Sequence, residues 1–316
     1  MKYLLIDFGA SHIKSISYDT ILNKFSEKRI IDSPFKNRDY LCKKDLQKIL
    51  LDITLFYSDI QKIYICTILG GFYNENIYYS WKHDQKNKNY CLISGLFLNE
   101  PTFHIHYHHK EYTDIKKYKK NISILGYINN IPIHSSLGDT NCVMESLALD
   151  NTNIAVNIGT GSQLLYIRDN KIHIERYFPA GRMLLVYNKL FSSLGFDIFN
   201  FLKTIDTDSV VEANLSIDLN VFKQSRNFID GGKICNIQEE NFNINNLLGS
   251  ILKTMILQYK NIIQSSNSDQ LFLCGGMFNH IPCLEPCFKI FYPKLDVILK
   301  EDNVESTFKG MVKLIS

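Results

Sequence analysis

Long apolar runs are missing from this 316-residue chain, and so is any marked excess of charge of one sign. No stretch is long enough to span a bilayer. A formal net charge of +3 gives no reason to expect a nucleic-acid or membrane partner. The opening apolar residues, Met1 to Ile6, stop at Asp7 and Gly9, well short of the h-region of a signal peptide. Two common nucleotide signatures are absent as well. A P-loop needs a Gly-rich loop ending in Lys-Ser/Thr before a helix, and no segment has that form or the dinucleotide fingerprint. Eight cysteines, Cys42, Cys66, Cys91, Cys142, Cys235, Cys274, Cys283 and Cys287, are scattered without paired spacing. Cys283 and Cys287 would share a helix face, but no second Cys or His pair completes a structural zinc site. The thiols read as free and the compartment as reducing, which points to the cytoplasm. No low-complexity linker divides the chain.

What is present fits a globular enzyme. The content is 45% hydrophobic and 21% charged, and the length allows two domains that each bury a core. Strand-like runs fall at 2–7, 12–18 and 26–31. Leu46, Ile49, Leu50 and Ile53 then recur at helical spacing, which predicts a helix over 43–57. A strand over Ile63 to Thr67 follows and runs into Gly70-Gly71. The rhythm repeats from residue 152, with strands near 154–158, 163–168 and 172–177. A long helix over 245–264 carries Leu248, Ile251, Leu252, Met255, Tyr259 and Ile262 on one face. Two halves with this shared pattern suggest duplicated domains around a cleft, with a boundary near residue 150. Gly231-Gly232 marks a loop before the final lobe.

Two Gly-rich stretches carry the functional signal. Asp7-Phe8-Gly9-Ala10-Ser11-His12-Ile13-Lys14 and Asn157-Ile158-Gly159-Thr160-Gly161-Ser162-Gln163 each join one strand-like run to the next. A tight hairpin of this kind can turn backbone N–H groups and small hydroxyls toward an anion, because glycine has no Cβ to hold a phosphate away. Asp7, at the end of the first run, is suited to magnesium held through water. A glycine turn between strands is usually only a turn, so either hairpin alone says little. A third element adds weight: Leu271 to Cys274 is an apolar strand that runs into Gly275-Gly276 and a helix containing Asn279.

In this order the three elements resemble the actin, hexokinase and heat-shock chaperone superfamily. Ile131 to Asn141, with Gly138-Asp139-Thr140-Asn141, is similar to the Gly-Asp-x-Gln/Asn segment of the FGGY carbohydrate kinases. Asn157 to Leu164 and Phe178-Pro179-Ala180-Gly181-Arg182-Met183-Leu184 resemble the sedoheptulose kinase-like branch. Residues 303–315 look like the small-residue helix that closes these kinases, with Lys309-Gly310-Met311 in place of the usual Gly-Ala-Ala. The likeness is good from about residue 122, fair over residues 1–20 and poor between. Typical members have a longer first domain, so the sugar-binding layer is shortened here.

The resemblance implies an α/β fold of two ribonuclease H-like domains with mixed sheets flanking an ATP cleft, residues 1–150 on the acceptor side and 151–316 on the nucleotide side. It implies ATP-dependent phosphorylation of a sugar or polyol hydroxyl, on a ketose or heptose-like acceptor, with ATP and Mg2+ as cofactors. Asp139 matches the family's catalytic base; its structural alternative is a helix N-cap ahead of Val143 to Leu149. Asp7 would organise the metal. Gly9, Ser11 and Lys14 would form the first phosphate turn, and Gly159, Thr160, Gly161 and Ser162 the second. Gly275, Gly276 and Asn279 would line the adenosine pocket. The expected partner is a small-molecule sugar or polyol, with no nucleic acid and no membrane, and a homodimer is compatible with this picture.

Two other classes fit in part. One is a nucleotide-dependent switch or ATPase like the activators of bacterial dehydratases, which often carry a cluster-binding Cys pair not evident here. The other is a type III pantothenate kinase-like enzyme, whose opening Asp-x-Gly-Asn-Thr resembles Asp7 to Ser11 but which matches Gly138-Asp139 and Phe178 to Arg182 less well. Two further features stay outside these readings. His104, His106 and His108 would lie on one face of a strand, but no carboxylate or Cys completes a metal site, so the tract reads as incidental. Trp81 and Asp84 are one residue further apart than the family's Trp-x-Asp, which leaves Trp81 as a core or surface residue.

Overall fold

Near-continuous apolar runs such as Tyr3 to Ile6 and Ile63 to Cys66 suit strands covered on both faces of a sheet, and these two lie side by side at its centre. The computed structural model describes residues 1–9, 11–67, 72–74, 77–79, 124–168, 171–223, 227–300 and 304–315. Ala10, Gly70, Gly71, Trp81, Asp84, Cys91 and the tract of His104, His106 and His108 lie outside the described residues. The chain divides into two compact units, Met1–Ala148 with Asp302–Ser316, and Leu149–Glu301. Residues 302–316, expected from the sequence in the second half, therefore group with the first.

In the first unit the strands are β1 (Lys2–Phe8), β2 (His12–Asp19), β3 (Lys24–Phe25), β4 (Arg29–Asp32), β5 (Tyr40–Cys42), β6 (Ile60–Thr67), β7 (Phe72–Asn74), β8 (Ile77–Tyr79), β9 (Ile124–Ile128) and β10 (Ile131–Gly138). The main sheet runs β3-β2-β1-β6-β10-β9, with β4 also on β2. β1 and β2 form an antiparallel hairpin, while β1, β6 and β10 are parallel. On one face, α1 (Lys43–Phe56) packs Leu46, Leu50 and Ile53 into a cluster with Leu4, Ile6, Ile63 and Ile65. Directly after β10 comes α2 (Asp139–Leu147). The chain's last helix, Ser306–Ile315, packs on α2. Their approach is so close at Gly310 that a Cβ there would overlap the Cys142 carbonyl oxygen. Further along, Lys313 Nζ donates to the carbonyls of Glu145 (3.3 Å) and Ser146 (3.1 Å) at the end of α2, where a cation complements unpaired helix carbonyls.

The second unit holds β11 (Asn153–Ile158), β12 (Ser162–Arg168), β13 (Lys171–Phe178), β14 (Ser216–Asp218), β15 (Lys233–Cys235), β16 (Gln270–Cys274) and β17 (Asp296–Leu299). Its sheet order is β13-β12-β11-β16-β17, with β11, β16 and β17 parallel. The helices are α3 (Gly181–Ser192), α4 (Ile198–Leu202), α5 (Thr207–Val211), α6 (Ile244–Leu257), α7 (Lys260–Ser265), α8 (Met277–His280) and α9 (Leu284–Phe291), which makes the Ser306–Ile315 helix α10. The face of α6 that carries Leu248, Ile251, Leu252 and Met255 is fully buried in the core with Ile154, Val156 and Leu271. Among the described residues no helix is long and apolar enough to cross a membrane. Both units are therefore mixed α/β, as the sequence implies.

Two elements differ from expectation. The strand expected over 26–31 starts only at Arg29, as β4; Ser26 to Lys28 part it from β3, and there Ser26 Oγ accepts the Ser17 N–H at 2.9 Å. The helix over 245–264 is α6 and α7, parted at Gln258 and Tyr259. There Gln258 Nε2 donates to the Pro179 carbonyl (3.0 Å) and the Tyr259 hydroxyl meets Ser162 Oγ, so side-chain bonds to the β13 end and the β12 start bend the helix path.

Gly310→Ala should destabilise the first unit by an amount at or above the upper end of the ~1–3 kcal/mol usual for overpacking, read as a lower urea midpoint. His134 on β10 supplies a second test. It is buried and stacked on Tyr64, with ring centroids 4.8 Å apart, and neither ring nitrogen finds a hydrogen-bond partner among the described residues. Burial, with help from Lys62, holds its pKa below the ordinary value. Its neutral form is thus the one that fits, and stability present above about pH 6.5 is lost as pH falls toward the lowered folded-state value. His134→Phe should remove that part of the acid sensitivity, measured as melting temperature between pH 7 and pH 5.

Candidate functional site

In open α/β sheets, ligands bind beyond the carboxyl ends of parallel strands. In the first unit β1, β6 and β10 end together, with Phe8 opposite Thr67 and Thr67 opposite Gly138. Asp7 sits just inside that edge. It is cross-strand from Lys14 on β2 and from Cys66 on β6, so all three share one sheet face. Cys66 Sγ donates to Asp7 Oδ1 at 3.5 Å. Burial raises the Asp7 carboxyl to about 7; Lys14 works against this, and Asp139 and Glu305 reinforce it. The Asp139 charge is thus felt at Asp7.

Asp139 is the first residue of α2, and Gly138, not Asp139, occupies the N-cap position. The Asp139 carboxylate instead takes the Thr140 N–H on Oδ1 at 2.6 Å and the Thr140 hydroxyl at 3.2 Å. Lys14 is engaged too: its Nζ donates to Glu305 Oε2 at 2.6 Å. Burial opposes the Lys14 charge, but Glu305 and Asp7 outweigh it and raise its pKa. The Gly9 N–H donates to the His12 carbonyl (3.1 Å), and a Cβ at Gly9 would come within 2.7 Å of that oxygen. The hairpin itself thus requires this glycine. Ser11 takes the Ser33 N–H on its carbonyl at 3.0 Å.

In the second unit β11 and β16 end beside one another, with Asn157 opposite Cys274. The Gly159 N–H donates to the Gly161 carbonyl (2.9 Å), which closes the turn. Its outer side is held by the start of α3, where the Gly181 N–H reaches the Gly159 carbonyl (3.1 Å) and the Arg182 N–H the Thr160 carbonyl (2.7 Å). Ser162 is buried, and its hydroxyl works inward: it donates to the Asn157 carbonyl (3.1 Å) and lies 2.5 Å from the Tyr259 hydroxyl. Thr160 and Gly161 are exposed, as are Gly275, Gly276 and Asn279. Gly275 has φ +107°, and a Cβ there would press on Ile158 and Asn157. By contrast, a Cβ on Gly161 or Gly276 would meet nothing within 4 Å, and neither φ is left-handed. The protein leaves those two spaces open without needing them for its own packing.

Each unit therefore gathers its own expected residues at one strand edge: Asp7, Gly9, Ser11, Lys14 and Asp139 in the first, and Gly159, Thr160, Gly161, Ser162, Gly275, Gly276 and Asn279 in the second. Glu305, Lys28, Gly181 and Tyr259 join them without being singled out beforehand. Only Gly181 had a signal, its place in the Phe178 to Leu184 segment. The donors suit magnesium, a hard cation that keeps several waters and takes one or two carboxylates. Asp7 supplies a buried oxygen pair, and among the described residues no group of three His, Cys, Asp or Glu forms a protein cage for an ion. The space over Gly161 and Gly276 suits a phosphate or ribose oxygen that must approach backbone.

No family model and no curated protein matches the sequence. Solved structures do match in fold. The ligand-bound xylulose kinase from Lactobacillus acidophilus has a TM-score of 0.64 at 13% identity, with 99% of this chain and 89% of that chain covered. The gluconate kinase from the same organism has 0.62 at 13%, covering 99% and 88%. An activator of 2-hydroxyisocaproyl-CoA dehydratase from Clostridium difficile, with bound ADPNP, has 0.50 at 12%, covering 100% and 93%. At such identities the shared property is the fold, a mixed α/β architecture of the sugar-kinase type.

The contrast between glycines is testable by stability alone. Gly275→Ala should cost more than about 1 kcal/mol, because it imposes a left-handed backbone and a clash. Gly161→Ala should stay within about 0.5 kcal/mol of the parent, as an exposed change does. Urea unfolding followed by circular dichroism measures both.

Proposed function

We propose that this chain transfers the γ-phosphoryl group of ATP to a hydroxyl of a ketose, heptose-like or related polyol acceptor. The observation that carries the reading is that the carboxyl edge of the first sheet gathers two carboxylates, buried Asp7 at the end of β1 and Asp139 directly after β10, with Lys14 opposite Asp7. Phosphoryl transfer asks for positioning and charge compensation more than covalent work. Asp139 is the general base that takes the acceptor's hydroxyl proton; its bonds from Thr140 fix the carboxylate's direction. Asp7 holds magnesium, and Lys14 with the Gly9 to Ser11 turn meets phosphate oxygens. Magnesium held there would offset the negative charge that develops on the phosphate during transfer. The Gly159 to Gly161 turn supplies backbone donors, and Gly275, Gly276 and Asn279 receive the adenosine. Ser162 acts from inside, by tying its turn to Tyr259.

On this reading the first unit is the acceptor side and the second the nucleotide side. The ketose-like acceptor is supported by the likeness of 157–164 and 178–184 to the sedoheptulose kinase-like branch, and by fold neighbours whose names are xylulose and gluconate kinase. A cytoplasmic setting is supported by the seven described cysteines, all free. A second reading, a nucleotide-dependent switch, draws on the dehydratase activator that shares the fold.

A panel of ketoses, heptoses, polyols and pantothenate with ATP and magnesium separates these readings. Strong stimulation of ADP release by one sugar or polyol supports the kinase; release unaffected by every acceptor favours the switch. Gly161→Val should abolish most ATP binding in a folded protein, and unchanged affinity would contradict the phosphate turn. Asp139→Asn should keep the fold and ATP binding but lose ~10²–10⁴-fold in turnover. The N1 carboxylate itself is worth only about 0.3–1 kcal/mol to α2. Near-normal phosphorylation by that variant would remove Asp139 as the base.

A further inference from the structure

Lys28 lies in the break between β3 and β4 and has no counterpart among the residues assigned above. Its Nζ donates to Glu305 Oε1 at 2.8 Å, while Lys14 Nζ donates to Oε2 of the same carboxylate at 2.6 Å. Three distant pieces of chain thus meet: β2, the 26–28 break and the residue that leads into α10. Their side chains are 28%, 34% and 30% exposed for Lys14, Lys28 and Glu305, so each is partly withdrawn from water yet reachable. We infer that Lys28 is a second phosphate-binding cation of the first glycine turn, and that Glu305 is the positioning residue that holds it beside Lys14. This rests on the phosphoryl-transfer reading.

Charge and geometry lead there together. Two ammoniums share one carboxylate in the Lys14–Glu305–Lys28 group, and Asp7 faces Lys14, so the ammonium without a carboxylate of its own is that of Lys28. Packing α10 against the sheet needs only one such contact, and an isolated exposed ion pair adds little to stability. A second lysine drawn onto the same carboxylate makes sense when the excess charge has a partner. Among the described residues each ammonium gives one of its three N–H donors to Glu305, which leaves donors on both for a ligand. The two are spaced by the two oxygens of Glu305. A chain of phosphates, with oxygens spread over several groups, can use both; a lone orthophosphate cannot span them as well. Lys14 is already cross-strand from Asp7, two residues before Gly9, so the shared Glu305 carboxylate draws Lys28 toward the turn. The ligand class is the di- or triphosphate of a nucleotide.

Isothermal titration of the whole protein with tripolyphosphate, orthophosphate and magnesium-ATP tests this. The parent should bind tripolyphosphate better than orthophosphate. Lys28→Gln should weaken tripolyphosphate and ATP about tenfold, the scale of one charge-assisted hydrogen bond, and orthophosphate far less. Lys28→Arg should restore most of the loss. Glu305→Gln should weaken tripolyphosphate similarly and raise the KM for ATP more than it lowers kcat. A lowered melting temperature in Glu305→Gln or Lys28→Gln, with parental affinity for tripolyphosphate and ATP, would assign the group a structural role and overturn the inference alone. A parent that binds neither ATP nor tripolyphosphate would overturn the phosphoryl-transfer reading and this inference with it.

Discussion

A carboxylate held out of water at the end of β1 sets conditions for the whole first unit. Burying a charge without partners costs several kcal/mol, so the surroundings of Asp7 must either neutralise it or offset it. Lys14 faces it across the hairpin, and Lys14 is itself pinned by Glu305 just before α10. Glu305 reaches a second lysine in the loop before β4. Although burial works the other way, these lysines hold the Glu305 carboxyl below its usual range. The registers of β2, β4 and α10 are in this way tied to one group on β1. The close seat of Gly310 against Cys142 allows α10 to lie near enough for Glu305 to make those contacts.

The glycines of the candidate site divide by the physical reason for having no side chain. Gly9 and Gly275 are required by the protein's own backbone, one by a hairpin carbonyl and the other by a left-handed φ. Gly161 and Gly276 are not, since nothing of the protein occupies the space a Cβ would take. Four glycines that look alike in sequence thus carry two different constraints. Only the second kind speaks for a ligand.

Periodicity made the short, strongly patterned elements legible. The hairpin of β1 and β2, that of β11 and β12, and the helix of Leu46, Leu50 and Ile53 all form within a residue or two of where alternation and 3.6-residue spacing place them. Where the sequence misleads, a long-range hydrogen bond is responsible. Nothing near Gln258 announces a break, and the Pro179 carbonyl that its side chain meets there is far away in the chain. Likewise Glu305 and Lys28 look like ordinary surface charges until the fold brings them together. Asp139 was readable as a residue of interest, but its place one step inside α2 was not, because Gly138 can cap a helix without a side chain. The grouping of residues 302–316 with the first unit was equally hidden, since contact between α10 and α2 leaves no local trace in either segment.

That grouping makes the second unit an insertion within the first: residues 149–301 interrupt a unit made of residues 1–148 and 302–316. During synthesis the second unit emerges whole and can fold as a unit. The first must wait, with α2 lacking the neighbour that covers Cys142, until α10 has been made. The acidic cluster around Asp7 therefore acquires its Glu305 clasp last. A chain that stops before α10 would contain the whole second unit and an unfinished first, so loss of that one helix bears directly on the unit that holds Asp7 and Asp139.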